Sequence, residues 1–113
     1  MKYITIFIIS VLVGLALVST SFAADCPKLL ISPVTFGMQN ANVKTLQTFL
    51  LSQGFDIPAG PTGYYGTQTR TAVNEFQLKY SFQILYPLRL STPTGNVYNA
   101  TLTQINALFC AMI

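Results

Sequence analysis

Three stretches of the chain place apolar side chains at the three- and four-residue steps that line one face of a helix. Val43, Leu46, Phe49 and Leu50 form the first, with Asn40 and Asn42 as candidate N-caps and Gly54 as a left-handed stop. Ala72, Val73, Phe76 and Tyr80 form the second, predicting a helix over about 67–80 whose exposed face carries Arg70, Asn74 and Lys79. Leu102, Ile105, Leu108 and Phe109 form the third, which the pattern starts at Asn99 as N-cap and ends near Cys110. Between the first two helices, Asp56 to Gly66 holds Pro58, Gly60, Pro61, Gly63 and Gly66, too many breakers for a helix or a central strand, so a structured loop is expected. Residues 81–93 mix Phe82, Ile84, Leu85, Tyr86, Leu88 and Leu90 with Pro87 and Pro93, which predicts an irregular apolar crossing over the core. Ahead of the first helix, Pro27, Pro33 and Gly37 interrupt any period and predict an extended lead-in.

The beginning of the chain follows a different pattern. Lys2 precedes an apolar run from Ile4 to Val18, and Ser21-Phe22-Ala23 supplies small residues for cleavage, the layout of a secretory signal peptide. The run is shorter than the ~20 apolar residues of a spanning helix. The expected organisation is an export segment at 1–23, an extended lead-in at 24–35 and one helical domain at 36–113. This division explains the composition: the 51% hydrophobic content of the 113 residues falls to about 47% once the export segment is set aside, ordinary for a globular domain. Export also puts Cys26 and Cys110 where disulfides persist, and these lone cysteines near the two ends of the domain are expected to pair.

A repeat appears at an offset of 32 residues, where Thr62, Gly63, Tyr65 and Thr69 align with Thr94, Gly95, Val97 and Thr101, and Val73 and Phe76 with Ile105 and Leu108. Each unit is a loop running into a helix. The repeat assigns Tyr65 to the core, by its partner Val97, and leaves the adjacent Tyr64 exposed.

Charge and chemistry narrow the function. After the export segment, Lys28, Lys44, Arg70, Lys79 and Arg89 stand against Asp25, Asp56 and Glu75, a net charge of +2 without a basic stripe, which argues against nucleic-acid binding. Histidine is absent, so His-based triads, zinc amidase sites and Cys-His pairs cannot be built, and no cofactor or metal is called for. The scattered acids leave only a lyase acting through Glu75 as an enzymatic alternative. The polar work falls to tyrosine, amides and one arginine. Tyr64 offers a ring for stacking, and Gly66 permits close backbone approach. Arg70, disfavoured at a helix start by ~0.3–1 kcal/mol, suits a carboxylate ligand. Gln47 and Gln77 sit beside core positions, where their amides either hold the loop or meet the ligand.

Val43-Lys44-Thr45-Leu46-Gln47, then Gly54, Thr62-Gly63-Tyr64-Tyr65-Gly66, Thr69, Ala72-Val73 and Phe76-Gln77 together resemble the peptidoglycan-binding-like domain family. A second, weaker half appears as Thr94-Gly95-Asn96-Val97, Thr101 and Ile105-Asn106, with Tyr98 at the second loop's glycine position. The resemblance implies an all-α fold, a small three-helix bundle with structured Gly/Pro-rich loops. It also implies non-catalytic binding of cell-wall peptidoglycan, through glycan or stem peptide, beside a separate cell-wall enzyme. The candidate ligand residues are Tyr64, Gly66, Arg70, Gln77 and Gln47, and the expected location is periplasmic, wall-associated or extracellular. The alternative is a secreted protein interaction module docking through Phe82 to Leu90.

Overall fold

A computed structural model describes residues 25–113, and the expected export segment at 1–23 lies outside them. The described chain is all-helical: α1 spans Ala41–Ser52, α2 Thr67–Lys79, α3 Ser81–Ile84 and α4 Asn99–Met112, with a 3-10 turn at Tyr86–Leu88. Its only β pairings are two isolated antiparallel bridges, Val34 with Val97 and Gln39 with Tyr64.

Asn40 is the N-cap of α1, its side chain accepting from the Val43 N–H at 3.0 Å, a cap worth about 1 kcal/mol. Asn42 lies inside the helix. Val43, Leu46, Phe49 and Leu50 are buried as the spacing predicts. At the other end Gly54 adopts φ +89°, and the N–H groups of Phe55 and Gly54 donate to the Leu50 and Leu51 carbonyls. This is the Schellman closure that a glycine makes available. On α2, Ala72, Val73 and Phe76 are buried. The Phe76 ring meets Phe49, Phe55 and Tyr80 at centroid distances of 6.0, 5.7 and 4.9 Å, closing one end of the core. Asn74, expected on the exposed face, is half-buried, and its Oδ1 is fully enclosed with no hydrogen-bond partner among the described residues.

Two expectations need correction. The 81–93 crossing is not wholly irregular, since it contains α3 and the 3-10 turn, too short to leave a periodic pattern. Pro87 is tolerated because it stands in the first turn of the 3-10 segment, where its missing N–H is not needed. Ile84 and Leu85 cover the core, whereas Phe82, Tyr86 and Leu88 face outward. The second correction concerns α4: its N-cap is Tyr98, without a side-chain cap bond, and Asn99 is the first helical residue. Tyr98 is the repeat partner of Gly66, the N-cap of α2, and the two share an extended backbone (φ −96°, ψ −171° and φ −100°, ψ −163°). The repeat register, not the best capping residue, starts the helix.

The lead-in, which in the structure runs on past residue 35 to the N-cap Asn40, is fastened along its length. Asn106 on α4 accepts from the Leu29 and Leu30 N–H groups through Oδ1 and donates from Nδ2 to the Leu30 carbonyl (2.9, 3.0 and 2.8 Å). Leu30 and Val34 enter the core. Cys26 and Cys110 are joined by a disulfide with Cα atoms 5.5 Å apart. Closing a loop of 84 residues stabilises the fold by up to ~4–5 kcal/mol in the chain-entropy account.

Candidate functional site

Each repeat loop is held from below by one buried glutamine. Gln47 is only 1% exposed. Its Oε1 accepts from the Gly63 N–H at 2.8 Å, and its Nε2 donates to the Tyr64 carbonyl and the Thr69 hydroxyl, both at 2.9 Å. Gln77 repeats the arrangement: Oε1 accepts from the Thr94 and Gly95 N–H groups at 2.9 and 3.1 Å, and Nε2 donates to the Asn96 carbonyl and the Thr101 hydroxyl at 2.8 and 3.0 Å. Buried amides require such partners, and here the protein's own loops supply them. Thr69 and Thr101 are therefore hydrogen-bond acceptors at helix starts. Of the two readings the sequence leaves open, the geometry realises the loop clamp, with Gln47 under the first loop and Gln77 under the second.

The lead-in stitches the loops together. The Gly37 N–H donates to the Tyr65 carbonyl, the Asn40 N–H to the Gly63 carbonyl, and Val34 and Val97 exchange both backbone bonds. The Phe36 N–H donates to Asn96 Oδ1 at 2.8 Å. Tyr65, fully buried, reaches across from the first unit to the second, its hydroxyl donating to the Gly95 carbonyl at 2.7 Å. Burial pushes the pKa of this phenol well up; the Arg70 charge opposes the shift and Tyr98 adds to it. The hydroxyl thus remains a proton donor.

Above the Gln47 clamp lies a cavity of about 410 Å3, lined among others by Ala59, Tyr64, Gly66, Thr67, Gln68 and Thr69. Its wall is braced where the Ala59 N–H donates to Gln68 Oε1 at 2.8 Å. Tyr64 is 48% exposed, as the repeat predicts. Gly66 makes room for this ring, because a Cβ there would stand 3.1 Å from Tyr64 Cε1. A larger groove of about 580 Å3 runs between α1 and the end of α4, lined by Leu29, Lys44, Phe49, Phe109 and Met112 among others, and offers mostly apolar contacts.

The five sequence-selected residues therefore divide. Tyr64, Gly66 and Gln47 gather at the first-loop cavity. Arg70 and Gln77 belong to the second loop. The Arg70 guanidinium lies 4.2 Å over the Phe36 ring, and its stem packs so closely on Gly95 that a Cβ there would stand 3.0 Å from Arg70 Cγ. Phe36 is tied in turn to Asn96, and Asn96 to the Tyr98 hydroxyl. Tyr98 carried a signal in the sequence, as the residue standing where the first loop has glycine. Phe36 carried none beyond being an aromatic in the lead-in.

Residues 39–84 match the model of a family described as a putative peptidoglycan binding domain. A solved structure of a peptidoglycan-binding protein from Clostridioides difficile, in complex with glutamine hydroxamate, is similar in fold, with a TM-score of 0.57 and 26% identity. The similarity covers 73% of this chain and 45% of that one, so the chain spans just under half the length of that protein. No curated protein sequence matches the chain. The matched residues hold α1, the first loop, α2 and α3, so the similarity to the peptidoglycan-binding family falls on the part of the chain that carries the Gln47 clamp. The second loop and α4 lie beyond the matched residues.

Proposed function

We propose that this protein is an exported module that binds bacterial cell-wall peptidoglycan non-covalently and catalyses no reaction on it. The observation that carries this reading is the clamped first-loop cavity inside the matched residues, with an exposed tyrosine at its rim. Tyr64 stacks on glycan or stem peptide, with Gly66 admitting its ring and leaving the backbone approachable. Gln47 and Gln77 hold the two loops in binding shape without touching the polymer, and Arg70 pairs with a stem-peptide carboxylate. The disulfide supports a location outside the cytoplasm. No cofactor takes part, and a separate cell-wall enzyme is the partner such a module serves.

Co-sedimentation with purified sacculi tests the reading. Wild type is expected in the pellet, with the Tyr64→Ala, Arg70→Ala double variant largely in the supernatant. A soluble wild type overturns the function, and equal retention of the two overturns the site. The protein-interaction alternative has one observation in its favour: Phe82 and Tyr86 are 75% and 61% exposed, with ring centroids 5.6 Å apart. Unchanged sacculus binding by Phe82→Ser separates that surface from the wall site.

A further inference from the structure

Arg70 is a cation held in position, and no acid among the described residues pairs with it. Its guanidinium rests on the Phe36 ring at 4.2 Å, its stem is confined by Gly95, and no hydrogen bond ties its nitrogens to another described residue. A flexible exposed arginine loses much side-chain entropy when it grips a ligand. One already laid on a ring has lost part of that freedom in advance. From the ring beneath it a chain of hydrogen bonds runs through three separate elements. Phe36 comes from the lead-in and is held through its N–H on Asn96 Oδ1. Asn96 comes from the second loop, and its Nδ2 donates to the Tyr98 hydroxyl at 3.4 Å. Tyr98, 51% exposed, stands at the start of α4.

The internal repeat gives this grouping its meaning. The first loop reads Tyr64-Tyr65-Gly66 and the second Asn96-Val97-Tyr98, so the exposed ring and the small or amide residue have exchanged places around a buried plug. Each loop therefore presents one exposed tyrosine above one glutamine clamp, and the second has the Arg70 stem packed against its glycine. Both loops hang on the same lead-in segment, so two contacts made by one ligand meet a rigid frame.

We propose that Arg70, with Asn96 and Tyr98, forms a second subsite distinct from the Tyr64 cavity, which selects peptidoglycan stem peptides bearing a free carboxylate over those carrying a carboxamide. The inference rests on the peptidoglycan-binding reading above. Arg70 takes the carboxylate in a paired, charge-assisted contact that a carboxamide cannot match. Tyr98 covers the adjoining peptide, and the first loop takes the neutral remainder of the ligand.

Two soluble muropeptides, each a disaccharide with a stem tetrapeptide, one as free acid and one with the carboxylates amidated, are titrated against the disulfide-linked domain by calorimetry. Wild type is expected to bind the acid form about tenfold more tightly, the scale of one charge-assisted contact at a partly exposed site. Arg70→Gln brings the ratio to about one while still binding the amidated form. Phe36→Leu, which removes the ring under the guanidinium, reduces the ratio without abolishing it. Tyr64→Ala weakens both forms equally and preserves the ratio. Equal wild-type affinity for the two forms, or a ratio that survives in Arg70→Gln, overturns the subsite. If wild type binds sacculi but does not distinguish the muropeptides, only the subsite falls; if it binds neither, the broader function falls with it.

Discussion

The two loops share one construction and differ in what they present. Each has a Thr-Gly turn over a buried glutamine, a core plug two residues after the glycine and a threonine in the first helical turn below it. Above this common base, the first loop opens into a cavity rimmed by Tyr64, whereas Arg70 and Asn74 pack against the glycine of the second. The difference traces to a few side chains. Gly66 leaves space over the helix start in the first unit, and Tyr98 occupies the matching position in the second. The clamp therefore specifies the loop's shape, and the residues flanking it specify what the loop can hold.

The largest effect on this pairing is expected from the disulfide, which anchors the lead-in that both loops share. Replacing Cys26 and Cys110 by serine should lower stability by up to ~4–5 kcal/mol, read as a lowered urea midpoint, and should raise amide exchange in both loops together. Exchange rising in only one loop would mean that the lead-in does not couple them.

Removing a clamp should separate the loops. Gln47→Leu strands the Gly63 N–H and the Thr69 hydroxyl, and Gln77→Leu strands the Thr94 and Gly95 N–H groups. Each is expected to cost about 3 kcal/mol, given ~1–3 kcal/mol for each buried group left unpaired. Sacculus retention should fall more in Gln47→Leu if the cavity carries most of the binding. Hydrogen exchange resolves whether the damage stays with the loop predicted.

The glycines offer a sharper contrast. Gly95 has φ +73°, and an added Cβ would stand 3.0 Å from Arg70 Cγ and from Asn74 Oδ1, so Gly95→Ala should destabilise by about 2 kcal/mol through strain and crowding. Gly66→Ala meets only the movable Tyr64 ring and has an ordinary φ. It should leave stability within about 0.5 kcal/mol of wild type and reduce ligand binding by turning that ring. Thermal unfolding and sacculus retention, measured on both variants, check the reversal.

A loss smaller than that of the clamps or of Gly95 is expected at the bond that links the units. Tyr65→Phe removes the donor to the Gly95 carbonyl and should cost about 1 kcal/mol at neutral pH. The folded pKa of Tyr65 is raised by burial, so above about pH 10 the unfolded chain gives up a proton that the folded chain keeps. The folded state then binds more protons, and wild-type stability falls as pH rises. The phenylalanine variant lacks this dependence at residue 65, so the stability gap should close in alkaline urea titrations.

Much of this comparison was legible along the chain because it depends on local spacing. The apolar steps located α1, α2 and α4, and Gly54 marked a true stop. The 32-residue offset separated the buried Tyr65 from the exposed Tyr64, adjacent residues of one type. The loop-holding role of Gln47 and Gln77 was open to reading from their places beside core positions, but that same offset does not pair them. Gln47 and Gln77 lie 30 residues apart while the loops they hold lie 32 apart, so a fixed offset pairs the loops and misses the glutamines beneath them. The start of α4 was misplaced for a related reason: Asn99 has the better side chain for a cap, but the register inherited from the repeat puts Tyr98 there.

The sequence by itself determined which faces are buried, where the chain must turn, and that no histidine chemistry is available. These follow from side-chain period and composition, which are local properties. Only the tertiary structure decided that Arg70 leaves the first-loop cavity for Phe36 and the second loop, that Gln77 serves a different loop from Gln47, and that the lead-in binds both. Those pairings join residues from 16 to 77 positions apart, and hydrogen bonds at such separations are selected by how the helices pack. The spacing of residues along one segment carries no record of them.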